Sequence, residues 1–325
     1  MTRREGILGL ALSVVFIVFS SPLCRGFIPR DLSAIVSTKR YRHLPAPLLA
    51  TLDDHDDASN TVTTSSTSKD RNDVVVTGVT LKVAFDSNWG VAEMADDAPS
   101  VRFTCDQSLD MVHRLRGDSD AVLVGRGTVE RDDCSLTVRR GVTADKQPLR
   151  VILDPRLTLI LAEVHEGAQY KVLTDGLPTV IYHCVSDVRL ESLNLLDSVT
   201  LVYMESNLPN DTQEDLPEGN RPGRYASPGA VVEHLRDNFG VHHLMVEGGP
   251  QTAINFLQPE NLIDRAILVR APISFQEPFP SGMSTETLQD AGLELVCSKE
   301  SGVDTIDYWA RPGESWPTDP PEDWP

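Results

Sequence analysis

Three groups of residues carry types and spacings suited to chemistry on an anionic ligand. The first is His243-Leu-Met-Val-Glu247-Gly248-Gly249-Pro250-Gln251-Thr252, where an apolar run ends in an acid and two glycines just before a helix-like stretch. Such a junction aims backbone N–H groups outward, glycine admits a ligand close to the main chain, and a helix N-terminus favours an anion such as phosphate. The same residues also suit a tight β–α turn in which Glu247 only caps amides. The second group is Arg116, Asp132, Asp133 and Arg139, set about the run Asp120 to Arg139. Its two arginines can clamp a phosphate, or the four charges can pair with one another at the surface. The third is Lys82, within Thr80-Leu-Lys82-Val-Ala84-Phe-Asp86-Ser-Asn88-Trp-Gly90. A lysine in a half-buried strand either enters a cleft as a donor or lies on the solvent face, and alternation leaves both open.

Several common site patterns are absent: GxxxxGK[ST], GxSxG, HExxH and a complete GxGxxG. Gly125-Arg126-Gly127 is a GxG without a third glycine or a ribose-reading acid, and reads as a turn. The five cysteines, at 24, 105, 134, 184 and 297, form no CxxC pair and none lies at ligand spacing from a histidine. This spacing argues against zinc and disulfide frameworks, and no metal is expected.

Short β-branched runs alternate with longer helical stretches and must position these groups. Strands are predicted at 74–85, 121–124, 149–153, 179–182, 199–203, 243–246, 266–269, 293–297 and 305–309. Helices are predicted at 106–116, with Leu109, Val112 and Leu115 on one side, and at 228–238 and 251–257. The interleaved order argues for one large α/β sheet, mainly parallel, with helices on both faces. Residues 208–228, with several prolines, acids and glycines, read as an exposed loop interrupting the domain.

The two ends read differently. Residues 1–26 have Arg3 and Arg4, an apolar run from Ile7 to Phe19, then small and turn-forming residues, the three-part shape of a signal peptide. The apolar run is short of the roughly 20 residues a membrane-spanning helix needs. Residues 27–50 are basic, with Arg30, Lys39, Arg40 and Arg42 against the single acid Asp31. A signal peptide followed by such a segment, with Phe27-Ile28-Pro29 at the junction, resembles the two-part plastid address of algae with complex plastids. Residues 51–73 are a Ser/Thr/Asp/Asn-rich linker, 74–311 the folded domain, and 312–325 a tail with two tryptophans and five prolines. Residues 1–50 hold seven Lys/Arg and two Asp/Glu, so of the net −19 the remaining chain carries −24. That acidity repels phosphate backbones and anionic lipid, which argues against nucleic-acid binding and against a membrane role for the mature form.

Taken in order, the three groups resemble the reductase domain of the riboflavin-biosynthesis deaminase-reductase family and its stand-alone relatives, from about Val79 to Trp309. The likeness is strongest in Arg116-Gly-Asp-Ser-Asp-Ala-Val-Leu-Val-Gly with Thr128-Val-Glu-Arg-Asp132-Asp133 and Leu136-Thr-Val-Arg139, and in Glu247-Gly-Gly with Asn261-Leu-Ile-Asp264. The resemblance implies a dihydrofolate-reductase-like fold, a homodimer, and NADPH-dependent reduction of the ribosyl side chain of a pyrimidine ribosylamine 5′-phosphate to ribityl. Carried over by residue, Ala84, Arg102, Thr104, Thr128, Asp132 and the Gly249–Asn255 stretch, with Pro250, Gln251 and Thr252, would line the cofactor. Ser100, Arg116, Leu136, Arg139 and Glu247 would face the substrate, the arginines holding its phosphate. Lys82 and Glu247 are the candidate catalytic groups.

Two positions depart from the family pattern. Where it reads Lys-x-Ala-x-Ser-x-Asp-Gly, this chain has Lys82-Val-Ala84-Phe-Asp86-Ser-Asn88-Trp89, with Gly90 one place late. Cys134 stands where proline is common after the paired aspartates. The HxE and PCxxC elements of the family's deaminase half are absent, so deamination falls to a separate protein. Two other readings stay in play: a non-catalytic nucleotide-binding module of the same fold, and a reductase of a pterin-like heterocycle.

Overall fold

The computed structural model describes residues 76–94, 102–140, 147–186, 195–206, 226–258 and 262–325. The predicted signal peptide, transit segment and linker, Ser100, and most of the 208–228 loop lie outside these residues. Among the described residues no helix is long and apolar enough to cross a membrane.

Apolar runs buried on both faces form the centre of the sheet, as parallel strands require. In chain order the strands are β1 (Gly78–Phe85), β2 (Gly90–Glu93), β3 (Ala121–Gly125), β4 (Leu149–Leu153), β5 (Thr179–His183), β6 (Val199–Tyr203), β7 (His243–Val246), β8 (Arg265–Arg270), β9 (Pro278–Pro280), β10 (Glu294–Ser301) and β11 (Asp304–Ala310). Among the described residues nine of them make one sheet in the order β10-β11-β8-β1-β7-β3-β4-β5-β6, while β2 and β9 pair separately. From β8 to β6 every neighbour is parallel; β11 and β10 close one edge antiparallel. All nine predicted strands thus fall in one mainly parallel sheet, and β2 and β9, short ribbons with little apolar signal, went unpredicted.

Helices cover both faces. The helices α1 (Asp106–Gly117), α2 (Arg126–Asp132), α3 (Thr158–Glu166) and α4 (Lys171–Thr174) pack on one side, and α5 (Pro228–Phe239), α6 (Pro250–Leu257) and α7 (Thr285–Asp290) on the other. The apolar stripe of α1 is Met111, Val112 and Leu115, with Leu109 only partly buried. Pro228 opens α5 and Gly240, left-handed at φ 64°, closes it, the usual asymmetry of helix ends. Gly125-Arg126-Gly127, expected to be a turn, instead ends β3 and starts α2, a seven-residue helix with only Val129 buried and so without a readable stripe.

The expected tail is part of the fold. Trp324 is 3% exposed and joins the core on the α1 face, Trp316 packs against the same cluster, and Trp324 Nε1 donates to Asp118 Oδ2 at 2.9 Å. Arg265, at the start of β8, is buried between the tail residues Glu314 and Ser315.

Chain direction explains where a ligand can enter. From β3 the chain winds outward through β4, β5 and β6, whereas from β7 it crosses the other way to β8. The carboxyl ends of β3 and β7 therefore flank a topological switch point, where open α/β sheets leave a crevice.

Candidate active site

Gly125 and Glu247-Gly248-Gly249 sit at that switch point. Glu247 N–H continues the ladder to Leu123 O at 2.8 Å, and then Gly248 and Gly249 adopt φ of 63° and 48°, a region that favours glycine. Gly249 is the N-cap of α6 and Pro250 its first residue. A Cβ on Gly249 would lie 2.9 Å from Thr128 Oγ1, and one on Gly125 would collide with Thr252 Oγ1. Thr128, whose hydroxyl donates to Gly248 O at 3.3 Å, and Thr252 thus pack directly against glycines that let them approach so closely. Five of the residues assigned to the cofactor, Thr128, Gly249, Pro250, Gln251 and Thr252, are gathered here.

Arg116, from the last turn of α1, forks onto Glu247: Nε to Oε1 at 2.9 Å and Nη2 to Oε2 at 2.6 Å. Both side chains are close to buried, 12% and 9% exposed. Burial alone would lower the arginine pKa, but the adjoining carboxylate outweighs it and the net shift is upward. Arg116 Nη1 also donates to Thr137 O at 3.0 Å. Within the second charge group, Arg116 takes Glu247 and Asp133 takes Lys171 at 2.8 Å.

Lys82 is partly buried on β1, on the face it shares with Thr80 and Ala84. The β1–β7 register ends at Leu81↔Val246, and one further step sets Lys82 beside Glu247. Burial pulls its amine below the ordinary lysine range; the Glu247 and Asp304 carboxylates oppose this and the Arg116 guanidinium adds to it. The lysine thus stands within reach of the charges of Glu247, Arg116 and Asp304. A lysine so placed gives up its proton more readily than a free one.

The other candidates spread around this centre. Ala84 lies one same-face position beyond Lys82. Leu136, left-handed at φ 54°, packs its side chain into the core, while Arg139 extends to solvent and Asp132 is exposed at the end of α2. Arg102 and Thr104 lie in a segment beside the β10–β11 hairpin: Cys105 N–H bonds Asp304 Oδ2 at 2.8 Å, and Phe103 meets Phe275 edge-on at 5.1 Å. Cys134 is pushed up to about 12, first by burial and then by Glu247 and Asp132, so it stays a protonated thiol. Among the described residues no group of His, Cys, Asp and Glu suits a metal ion.

The departure at Asp86 has a structural account. This buried carboxylate accepts N–H bonds from Asn88 at 2.8 Å and Gly90 at 2.7 Å through Oδ1, and from Phe275 at 2.9 Å through Oδ2. It ties the β1–β2 turn to the loop after β8, a task for which a serine hydroxyl has too few lone pairs and no charge.

Sequence reading missed His113, Gln147 and Arg150, which hold the 135–139 segment. Only His113, one helical turn before Arg116 on the same helix, carried a signal that could have exposed it.

A mainly parallel sheet with helices on both faces, a glycine-lined β–α junction and an ion pair close to buried at the switch point define an α/β domain with its candidate site at the carboxyl ends of β3 and β7. The chain belongs to the RibD C-terminal domain family, whose model matches residues 79–305. It is 34% identical over 170 residues to the riboflavin biosynthesis protein RibD of Aquifex aeolicus, covering 52% of this chain and 39% of that protein. It is 30% identical over 198 residues to the 2,5-diamino-6-ribosylamino-4(3H)-pyrimidinone 5′-phosphate reductase of Archaeoglobus fulgidus, covering 58% of this chain and 76% of the relative. Among solved structures, RibD of Acinetobacter baumannii superposes with a TM-score of 0.52 at 23% identity, over 73% of this chain and 58% of that one. The chain thus spans about two fifths of the Aquifex protein's length.

Proposed function

We propose that this protein is an NADPH-dependent reductase of riboflavin biosynthesis that converts the ribosyl side chain of a pyrimidine ribosylamine 5′-phosphate to ribityl. The observation that carries this reading is the placement of Lys82 beside the Arg116–Glu247 pair, next to the glycine-lined start of α6. The name of the Archaeoglobus relative supports the substrate class.

The residues present suit a dinucleotide, because Gly248 and Gly249 leave the main chain bare at the start of α6 and the Thr128 and Thr252 hydroxyls lie beside it. The first turn of α6, Thr128 and Thr252 would hold its phosphates. Bound NADPH supplies the hydride. The chain's own residues do the rest. Arg139 receives the substrate phosphate at the mouth of the cleft. Glu247, held by Arg116, keeps the Lys82 ammonium in place, and Lys82 gives its Nζ proton to the glycosylamine nitrogen of the ring-opened imine as C1′ is reduced.

The test follows NADPH oxidation by the purified protein with the pyrimidine ribosylamine phosphate, in its amino and deaminated forms. Turnover with either upholds the proposal. NADPH binding without oxidation would favour a non-catalytic module, and oxidation with a pterin alone would favour the heterocycle reductase.

Two further parts of the reading concern the cell and the assembly. The signal-like and basic leader supports delivery to a complex plastid, which a fluorescent protein fused behind residues 1–50 would report by its location. A homodimer is expected, and sedimentation at micromolar concentration would give its mass.

A further inference from the structure

Residues 133–140, after α2, have no regular structure, yet side chains address their backbone at Ser135, Thr137, Val138 and Arg139. Arg150 Nη1 donates to Ser135 O at 3.4 Å and Arg116 Nη1 to Thr137 O at 3.0 Å. Gln147 takes both sides of Val138, its Oε1 accepting from the N–H at 2.7 Å and its Nε2 donating to the carbonyl at 3.1 Å. The last link is His113, whose Nδ1 accepts the Arg139 N–H at 3.2 Å. Five of its backbone groups, Ser135 O, Thr137 O, both groups of Val138 and the Arg139 N–H, are thus satisfied by side chains from other parts of the fold, which makes the segment a strap.

Arg139 ends the strap, and its guanidinium is set apart from its neighbours. Arg116 is taken up by Glu247, and Arg140 by Asp106 and Asp110, both at 2.9 Å. Among the described residues Arg139 enters no ion pair, and its side chain is exposed. An arginine whose backbone is anchored and whose head is left unneutralised is arranged to meet an external anion.

His113 itself is 2% exposed on α1, between Arg116 and Arg139. To accept an N–H at Nδ1 it must be neutral with its hydrogen on Nε2. Burial, then Arg116 and Arg139, hold it below the ordinary histidine range, Glu247 opposing and Arg140 adding a little. The neutral acceptor is the form this surrounding selects.

We propose that His113 is a positioning residue for the substrate's phosphate: its Nδ1 fixes the Arg139 backbone and thereby aims the guanidinium that receives the anion. This rests on the reading of Arg139 as the phosphate group's partner. His113 takes no part in proton or hydride transfer, so its effect falls on the affinity for phosphorylated ligands alone.

The experiment uses the asparagine, glutamine and alanine exchanges. An asparagine amide oxygen can stand where Nδ1 stands, whereas that of glutamine reaches toward the Nε2 position. Steady-state constants are measured for His113→Asn, His113→Gln and Arg139→Ala with the phosphorylated pyrimidine ribosylamine and with its dephosphorylated counterpart; calorimetry with ribose 5-phosphate gives a readout that needs no turnover. His113→Gln is expected to raise KM for the phosphorylated substrate and Kd for ribose 5-phosphate about five- to tenfold, the loss of one backbone anchor. Its kcat, its KM for NADPH and its constants for the dephosphorylated substrate are expected to match the parent, and His113→Asn to restore most of the lost affinity. If Arg139→Ala leaves both ribose 5-phosphate binding and KM unchanged, the phosphate reading fails. If Arg139→Ala weakens both while His113→Gln does not, or weakens the two substrates equally, the positioning role alone is overturned. Should His113→Gln not fold, His113→Asn and His113→Ala carry the comparison, and equal affinities in these two would overturn the proposal.

Discussion

Arg116 Nε and Nη2 meet Glu247 Oε1 and Oε2 at 2.9 and 2.6 Å, joining the end of α1 to the end of β7 across 131 positions of sequence. This fork determines where the carboxylate stands, and through it the electrostatic surroundings of Lys82. With both partners close to buried, removal of either leaves a charge without its counter-charge in a poorly solvated place. Glu247→Gln and Arg116→Ala are each expected to cost about 3 kcal/mol in urea unfolding. The double variant is expected to recover part of that loss, and strictly additive losses would mean the pair is not coupled.

Lys82 should behave as an acid that has been made easier to deprotonate. Lys82→Met is expected to lower kcat by about 100-fold or more, the usual range for loss of a general acid, without loss of melting temperature. In the parent protein the rate should fall as pH rises through a value below the ordinary 10.5 of lysine, since burial lowers the pKa. A rate independent of pH up to that value would remove Lys82 from proton transfer.

Steric pairing at the glycine-lined junction gives a sharper test. A methyl group at Gly125 would strike Thr252 Oγ1, yet would stand 3.7 Å from Thr252 Cβ, an ordinary contact. Gly125→Ala is therefore expected to destabilise by about 1–3 kcal/mol by overpacking, and the same change made on Thr252→Ala to cost little. Equal costs in the two backgrounds would show that the helix and strand are not packed as described.

Acid should loosen the fold through buried imidazoles. His183 is pushed down to about 4, chiefly by burial, with a backbone hydrogen bond to Val185 opposing, and burial lowers His243 as well. A histidine whose folded value is depressed takes up a proton more readily when unfolded. Its contribution is complete above the unfolded value of 6.5 and drains away as pH falls toward the folded one. Asp154, raised by burial, works in the opposite sense at lower pH. Between pH 7.5 and 5.0 the free energy of unfolding is expected to fall by about 2 kcal/mol, and His183→Phe to remove much of that slope. A flat profile in the parent protein would contradict the burial of these rings.

The C-terminal residues beyond the family match at 305 are expected to matter for stability. Trp324→Ala removes a buried indole and its bond to Asp118, and should cost about 3–5 kcal/mol, read as a lowered melting temperature. A tail that merely lay on the surface would show a change under about 0.5 kcal/mol.

Much of the fold was legible because it depends on local pattern. Buried parallel strands write themselves as short β-branched runs such as Ala121–Gly125 and Thr179–His183, and α1 and α5 carry apolar stripes with marked ends. The elements that escaped notice are short or polar, as α2 is with Val129 its one buried residue, and their stability comes from the sheet beneath them.

By itself the sequence determined the strands, the principal helices and the glycines that open the β7–α6 junction, since period and backbone freedom are properties of neighbouring residues. Only the tertiary structure decided that Lys82 faces Glu247, that Arg116 is given to that carboxylate while Arg139 stays open to solvent, and that Trp324 is core. Charge pairing and burial depend on which distant segments meet, and the crossovers of the sheet set those meetings.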